Sequence, residues 1–348
     1  MARRVRARVP ETDVSATLAV RLPNWLGDTV MAAPALASLR QAFAEARILL
    51  AGPWASVLDG QGLADVLVTY PRAWSGRLRS ADVVRRFGPE AAILMPSSFE
   101  SALSAWYWGA RRRLGFAGGG RGLLLTDEVA VPAPRLHQVD EYLLLLEGFG
   151  AAPVSHTPRL APPPPEAASR QEVRRLLAEA GARDAGRGRS LLGIHLGAEY
   201  GSSKRWPLVR VVQLARLAAR AGDTVVVLGA PADAAAAAEV TATAPAASLV
   251  GRDRPDLLTA VLSEIDVLVS GDTGVAHLAA ALGTPVVALF GPTDPRLSAP
   301  RGPAATLTNP VPCAPCFYRE CPIEHPCLAG VDAARVLDRA QTLLGALA

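Results

Sequence analysis

Three stretches hold the side chains best suited to chemistry. Asn24-Trp25-Leu26-Gly27-Asp28 sets a carboxylate directly after a glycine, behind the apolar run Thr17 to Leu22. Gly197-Ala-Glu199-Tyr-Gly201-Ser202-Ser203-Lys204 places the only lysine of the chain in a loop of small residues. Gly271-Asp272-Thr273-Gly274-Val275-Ala276-His277 breaks the apolar run Asp266 to Ser270 and opens a helix. A carboxylate such as Asp28 either accepts a proton from a substrate or caps the helix that follows. An ammonium on a flexible stem, unless it is ordinary surface lysine, follows charge developing on a diphosphate. With Asp272 or Thr273 as N-cap, the backbone N–H groups of Thr273, Gly274 and Val275 lack intrahelical partners. Such a helix start attracts phosphate or carboxylate.

The elements that position these residues alternate. Strands are expected at Thr17–Leu22, Ala46–Ala51, Asp65–Tyr70 and Ala91–Met95, with helices at Thr29–Phe43, Trp54–Leu58, Leu78–Phe87, Phe99–Trp108 and His137–Phe149. After the proline-rich stretch 151–165 the pattern resumes. Strands are expected at Ser190–Leu196, Asp223–Gly229, Ala247–Val250, Asp266–Ser270 and Pro285–Phe290, and helices at Glu166–Ala182, from Pro207, from Val275 to Leu282, and at Val331–Leu347. Strand–helix alternation implies parallel sheets covered on both faces, with ligands beyond the carboxyl ends of the strands. Polyproline stiffens a linker and ends regular structure, so two α/β domains are expected, residues 1–160 and 161–348. At 348 residues that count is ordinary.

Composition narrows the function. The net charge of +4 is too mild for a nucleic-acid binder. No run approaches the ~18 apolar residues of a spanning helix, and the basic start 1–14 has no apolar stretch behind it, so no secretory signal is expected. A cytoplasmic protein with at most peripheral membrane contact is implied. GxGxxG between strand and helix is absent, as is GxxxxGK[ST]. Arg111, Arg112, Arg113 and Arg121 cluster around Ala117-Gly-Gly-Gly, suited to bidentate contact with phosphates and carboxylates or to a solvated basic turn. Cys313, Cys316, Cys321 and Cys327, with His325, crowd into fifteen positions. One CxxC with short spacings is not the usual pair of zinc knuckles, so these thiols are a weak metal set and more readily a structural loop.

The block from Val269 through His277 to Gly291-Pro-Thr293-Asp294, together with NWLGDTVMAAPAL and GAEYGSSKRWP, resembles the ADP-heptose:lipopolysaccharide heptosyltransferases, glycosyltransferase family 9. The Lys-Arg-Trp-Pro form is most similar to their heptosyltransferase II branch. The resemblance covers nearly the whole chain from Thr17. It implies two Rossmann-like domains facing a central cleft (the GT-B fold), with a last helix packing back on the first domain. It implies inverting transfer of L-glycero-D-manno-heptose from ADP-heptose to the inner-core heptose of lipopolysaccharide, with no cofactor. On this resemblance Asp28 is the general base. Ser202, Lys204, Asp272, Thr273, Gly274, His277 and Gly291 hold the nucleotide sugar. Asn24, Trp25 and the four arginines hold an anionic Kdo-lipid A acceptor at the inner face of the inner membrane. Some family members carry a glutamate for the ribose after the strand equivalent to Asp223–Gly229; this chain departs there, reading Gly229-Ala-Pro231-Ala-Asp233. A nucleotide-sugar epimerase and a non-catalytic nucleotide-binding protein remain alternatives.

Overall fold

The computed structural model describes residues 16–71, 74–182, 190–252, 254 and 256–346. The basic start 1–14 and Leu347 of the last expected helix lie outside the described residues. The chain divides into two compact units between Pro158 and Arg159.

The first unit is built on β1 (Thr17–Arg21), β2 (Arg47–Gly52), β3 (Val66–Thr69), β4 (Ala91–Leu94), β5 (Arg112–Phe116) and β6 (Asp127–Val129). All pairings are parallel, in the order β3-β2-β1-β4-β5-β6. Its helices are α1 (Leu26–Met31), α2 (Ala33–Ala42), α3 (Trp74–Phe87), α4 (Phe99–Tyr107) and α5 (Gln138–Glu147). The second unit has β7 (Leu191–His195), β8 (Thr224–Leu228), β9 (Ala247–Ser248), β10 (Val267–Gly271), β11 (Val286–Phe290) and β12 (Ala304–Thr308). These are also parallel, in the order β12-β11-β10-β7-β8-β9. Its helices are α6 (Ala168–Glu179), α7 (Leu208–Ala221), α8 (Ala234–Thr243), α9 (Leu258–Glu264), α10 (Gly274–Leu282), α11 (Pro295–Ser298), α12 (Pro326–Ala329) and α13 (Ala333–Gly345).

Numbered within its own unit, each sheet runs 3-2-1-4-5-6, the dinucleotide-fold order. Its ligand crevice opens where the order reverses, between the first and fourth strands. Those strands are β1 and β4 in one unit, β7 and β10 in the other. Central strands such as β4 and β11 are buried along their whole length, because helices cover both faces of a parallel sheet.

Two expectations need correction. The helix expected from Thr29 to Phe43 is two helices, α1 and α2, parted at Ala32. Pro34 has no N–H to give the Val30 carbonyl, so the ladder stops there and restarts. In the second unit, Val336, Leu337 and Ala340 of α13 join one core cluster with Val211, Leu214 and Val269. The expected basic turn at 111–121 opens with strand β5, which takes in Arg112 and Arg113. Arg112 pairs with Asp127 of β6 at 3.2 Å and lies 4.6 Å over the Phe149 ring. Arg113 donates to the carbonyls of Leu124 and Ala110 at 2.5 and 2.6 Å. Arg121 is 0% exposed and donates to Pro96 O, Phe116 O and Ser101 Oγ at 2.5, 2.8 and 3.0 Å. It therefore presents nothing to an acceptor. It ties the loop after β5 to the end of β4, and burial pulls its guanidinium below the ordinary arginine value. Of the four arginines, Arg111 keeps an exposed side chain.

Replacing Arg121 by Leu strands those buried acceptors. Each orphaned group costs about 1–3 kcal/mol, so a loss on the order of 3 kcal/mol is expected in denaturant unfolding. A neutral result would show that the loop holds without it.

Candidate functional site

In the second unit the loop leaving β7 and the turn leaving β10 meet at the switch point. Lys204 Nζ lies 2.5 Å from Asp272 Oδ2, with the two side chains 12% and 7% exposed. The same ammonium reaches Asp272 O at 3.3 Å and stands 4.7 Å from the Tyr200 ring centroid. Thr293, from the Gly-Pro-Thr-Asp turn after β11, donates to Asp272 Oδ2 at 2.7 Å. His277 Nε2 is 3.9 Å from Asp272 Oδ1. Thr273 is the N-cap of α10 with extended backbone, and its Oγ1 lies 2.9 Å from Ser270 Oγ. No side chain caps the first turn of α10, and no acidic residue occupies it. The arrangement presents an ammonium beside an open helix N-terminus, which is the chemistry of an anion site. Lys204, Asp272, Thr273, Gly274 and His277 are thus brought together from two separate segments.

Other residues hold this pair in place, and sequence reading missed them. A Cβ on Gly271 would fall 2.6 Å from Lys204 O, so only glycine lets the two loops approach. A Cβ on Gly201 would fall 2.2 Å from Arg319 O. Ser203, not Ser202, is the buried serine: its Oγ donates to Tyr318 O at 2.5 Å, and its N–H to Arg319 O at 3.0 Å. Tyr200 Oη donates to Phe317 O at 2.7 Å. The cysteine loop is therefore strapped across the loop that carries Lys204. Gly291 faces this loop too, since a Cβ there would lie 2.7 Å from Leu328 and 2.9 Å from Cys327 Sγ. The space Gly291 leaves is filled by protein. Ser202 is exposed on the one-turn helix Ser202–Lys204.

Cys327 is buried, Cys316 and Cys321 are half-buried, Cys313 is exposed, and none forms a disulfide. Burial pushes the Cys327 thiol up, and neighbouring Cys313 and Cys321 add to this. Among the described residues no group of three or more His, Cys, Asp or Glu side chains is arranged to hold a metal ion.

Beside the pair, Asp233 is 2% exposed and accepts from Ala230 N at 3.0 Å. Arg205 approaches its other oxygen at 3.0 Å, in ion-pair range though off hydrogen-bond alignment. Asp233 lies close to His195, the last residue of β7, whose Nδ1 is buried without a protein partner.

In the first unit Asp28 sits in the first turn of α1, half-exposed, after the N-cap Trp25. Trp25 is 42% exposed. Asn24 is held by Arg21, whose Nη2 donates to Asn24 Oδ1 at 2.7 Å. Arg21 is 1% exposed, also donates to Leu22 O, lies 3.5 Å from Glu100 at the start of α4, and stacks 5.1 Å from the Tyr70 ring centroid. Burial drives the Tyr70 phenol up to about 12. The phenol of Tyr142, from α5, is driven well above its ordinary range by burial and by the negative charge of Asp28. A charge inside the apolar run Leu-Ala-Val-Arg21-Leu was the signal that marks Arg21.

Two parallel six-stranded sheets of dinucleotide-fold order, each with charged groups at its switch point, define the GT-B class of α/β protein. The chain belongs to glycosyltransferase family 9 (heptosyltransferase), whose model matches residues 78–326, a span that holds Lys204 and Asp272 but not Asp28. It is 27% identical to lipopolysaccharide heptosyltransferase 2 of Salmonella typhimurium over 299 residues, 80% of this chain and 83% of that protein. Its fold matches the ADP-heptose lipopolysaccharide heptosyltransferase II of Escherichia coli with a TM-score of 0.77 at 24% identity, over 95% and 99% of the two chains. The E. coli heptosyltransferase WaaC, determined with ADP, matches with a TM-score of 0.72 at 17% identity, over 94% and 99%.

Two outcomes follow from the second-unit geometry. Lys204→Ala leaves the Asp272 carboxylate buried without its cation, which costs roughly 3–5 kcal/mol; adding Asp272→Asn should restore most of the melting temperature. Burial lowers His195 to about 4 from 6.5. The folded chain keeps this imidazole neutral while the unfolded chain takes a proton, so its contribution is full above pH 6.5 and is lost as pH falls toward 4. His195→Gln should flatten the melting-temperature curve over that window, and an unchanged slope would exclude His195 as its source.

Proposed function

We propose that this glycosyltransferase moves L-glycero-D-manno-heptose from ADP-heptose to a heptose of the lipopolysaccharide inner core, with inversion at the anomeric carbon. The observation that carries the reading is the Lys204–Asp272 pair set against the open start of α10 at the second switch point. The names of the relatives supply the sugar and the acceptor, and the WaaC structure with ADP supports an adenine nucleotide donor.

Lys204 has three N–H donors and directs two at Asp272, which leaves one for a diphosphate oxygen. Asp272 keeps the ammonium oriented, and the N–H groups at the start of α10 share the charge that develops on departing ADP. Asp28 takes the proton of the acceptor hydroxyl as its oxygen forms the new bond at the anomeric carbon. A sugar hydroxyl is far less acidic than a carboxylic acid, so the proton moves late, as that bond forms. No metal or other cofactor is needed on this reading. The acceptor is an anionic lipid core, and the enzyme works at the cytoplasmic face of the inner membrane. Among the described residues no helix is long and apolar enough to cross a membrane.

Mass spectrometry of a heptose-deficient lipid core incubated with ADP-heptose and the protein should show one added heptose. Free heptose released without acceptor would point to epimerase-type chemistry, and no consumption of nucleotide sugar to a binding protein. Asp28→Asn keeps the shape of the side chain but cannot take the proton. It should fold and bind ADP normally yet lose about 10²–10⁴ in turnover at saturating substrate. Near-normal turnover with a small drop in melting temperature would reduce Asp28 to a carboxylate balancing the dipole of α1. Calorimetry should show ADP binding weakened by roughly 1.5–3 kcal/mol in Lys204→Ala, with equal weakening in the restabilised Lys204→Ala, Asp272→Asn double variant.

A further inference from the structure

The outward side of α4 is apolar along its whole length. Phe99, Leu103, Trp106 and Tyr107 are 52, 41, 58 and 38% exposed. At 3.6 residues per turn they fall within an arc of about 100°. The opposite side of the helix, Ser101, Ala102 and Ala105, is buried. A helix on a protein surface ordinarily turns polar residues outward, and this one turns out two aromatic rings with polar edges, a phenylalanine and a leucine.

Its neighbour α3 is basic. It carries Arg77, Arg79, Arg85 and Arg86 against the single acid Asp82, and Arg79, Arg85, Arg86 and Val83 are exposed. The two helices are stitched at this edge. Tyr107 Oη donates to Asp82 Oδ1 at 2.5 Å, and the Arg85 guanidinium stands 5.0 Å from the centre of the Tyr107 ring. Arg85 thus borders the aromatic stripe, and Arg79 and Arg86 stand exposed elsewhere on the same helix.

We propose that this α3–α4 face seats the protein on an anionic lipid bilayer. Rings with an apolar body and a polar edge settle at the level of the headgroups, and exposed arginines are drawn to anionic lipid while their stems lie along apolar surface. Charge chooses the bilayer over a second copy of the chain. A twofold contact sets a patch against itself, which would press the arginines of α3 toward an identical set with little acid to oppose them. The stripe begins at Phe99, five residues past the end of β4, so the bilayer lies beside the ligand end of the first sheet.

Flotation of the full chain with vesicles of phosphatidylethanolamine and phosphatidylglycerol tests this, with phosphatidylcholine vesicles as the uncharged comparison. The wild type should float with the anionic vesicles and far less with the neutral ones. Phe99→Ser combined with Trp106→Ser, and separately Arg79→Glu combined with Arg86→Glu, should each lower the bound fraction about tenfold or more. Both variants should melt with the wild type, since these side chains are exposed, and should keep turnover on detergent-dispersed acceptor. The proposal is overturned if the wild type stays with the aqueous phase, or if either variant floats like the wild type. It is equally overturned if sedimentation finds a dimer that the Phe99→Ser, Trp106→Ser variant splits.

Discussion

The second unit depends on one ion pair, Lys204 with Asp272. A buried pair of this kind contributes little net stability, because desolvation of both charges offsets most of their attraction. Its effect is positional. It joins the loop after β7 to the turn after β10 across the crevice where the strand order reverses. That junction dictates other residues: glycine at 271 so that the backbones touch, Thr293 to occupy a remaining lone pair of Asp272, and an α10 start without a capping side chain.

The first unit repeats the device with other side chains. Arg21 ends β1 and reaches Glu100 at the start of α4, just past β4. In both halves, then, a cation from the first strand's end or the loop after it meets a carboxylate from beyond the fourth. The difference lies in where the cation points. Arg21 spends its donors on Leu22 O and Asn24 and so stiffens the backbone that leads to Asp28. Lys204 keeps a donor in reserve beside a helix N-terminus. One unit thereby fixes the backbone that leads to a carboxylate, and the other sets an ammonium beside a helix N-terminus.

The cysteine-rich loop belongs to the same scheme. Phe317, Tyr318 and Arg319 offer backbone carbonyls to Tyr200 and Ser203, while Cys327 and Leu328 fill the space above Gly291. Its chemistry toward the site is that of a brace: hydrogen bonds to backbone set the height of the Lys204 loop over the sheet. The thiols contribute bulk at one end of that brace, with Cys327 neutral in its buried position.

Local order was legible in the chain. Apolar runs closed by glycine, Pro207 before α7 and Gly283 after α10 mark elements whose signals lie within a few residues, and the proline-rich stretch marked the division into units. The places of Asp28, Lys204 and Asp272 beyond strand ends were legible as well, because a lone lysine or a carboxylate after a buried run is conspicuous. Partnership was not. Arg121 reads as part of a basic surface until β5 and α4 close over it, and Arg112 and Arg113 lose their freedom to Asp127 and to backbone carbonyls. Gly271 and Ser203 carry no local mark at all, since their necessity comes from backbone more than 60 residues away in one case and over 100 in the other. The sequence by itself marked nine of the twelve described strands, missing β5, β6 and β12 as well as helices α8 and α9, and it marked charges that stand at strand ends. Only the tertiary structure decided which of those charges are consumed by one another, because desolvation and pairing depend on distances that no spacing along the chain encodes.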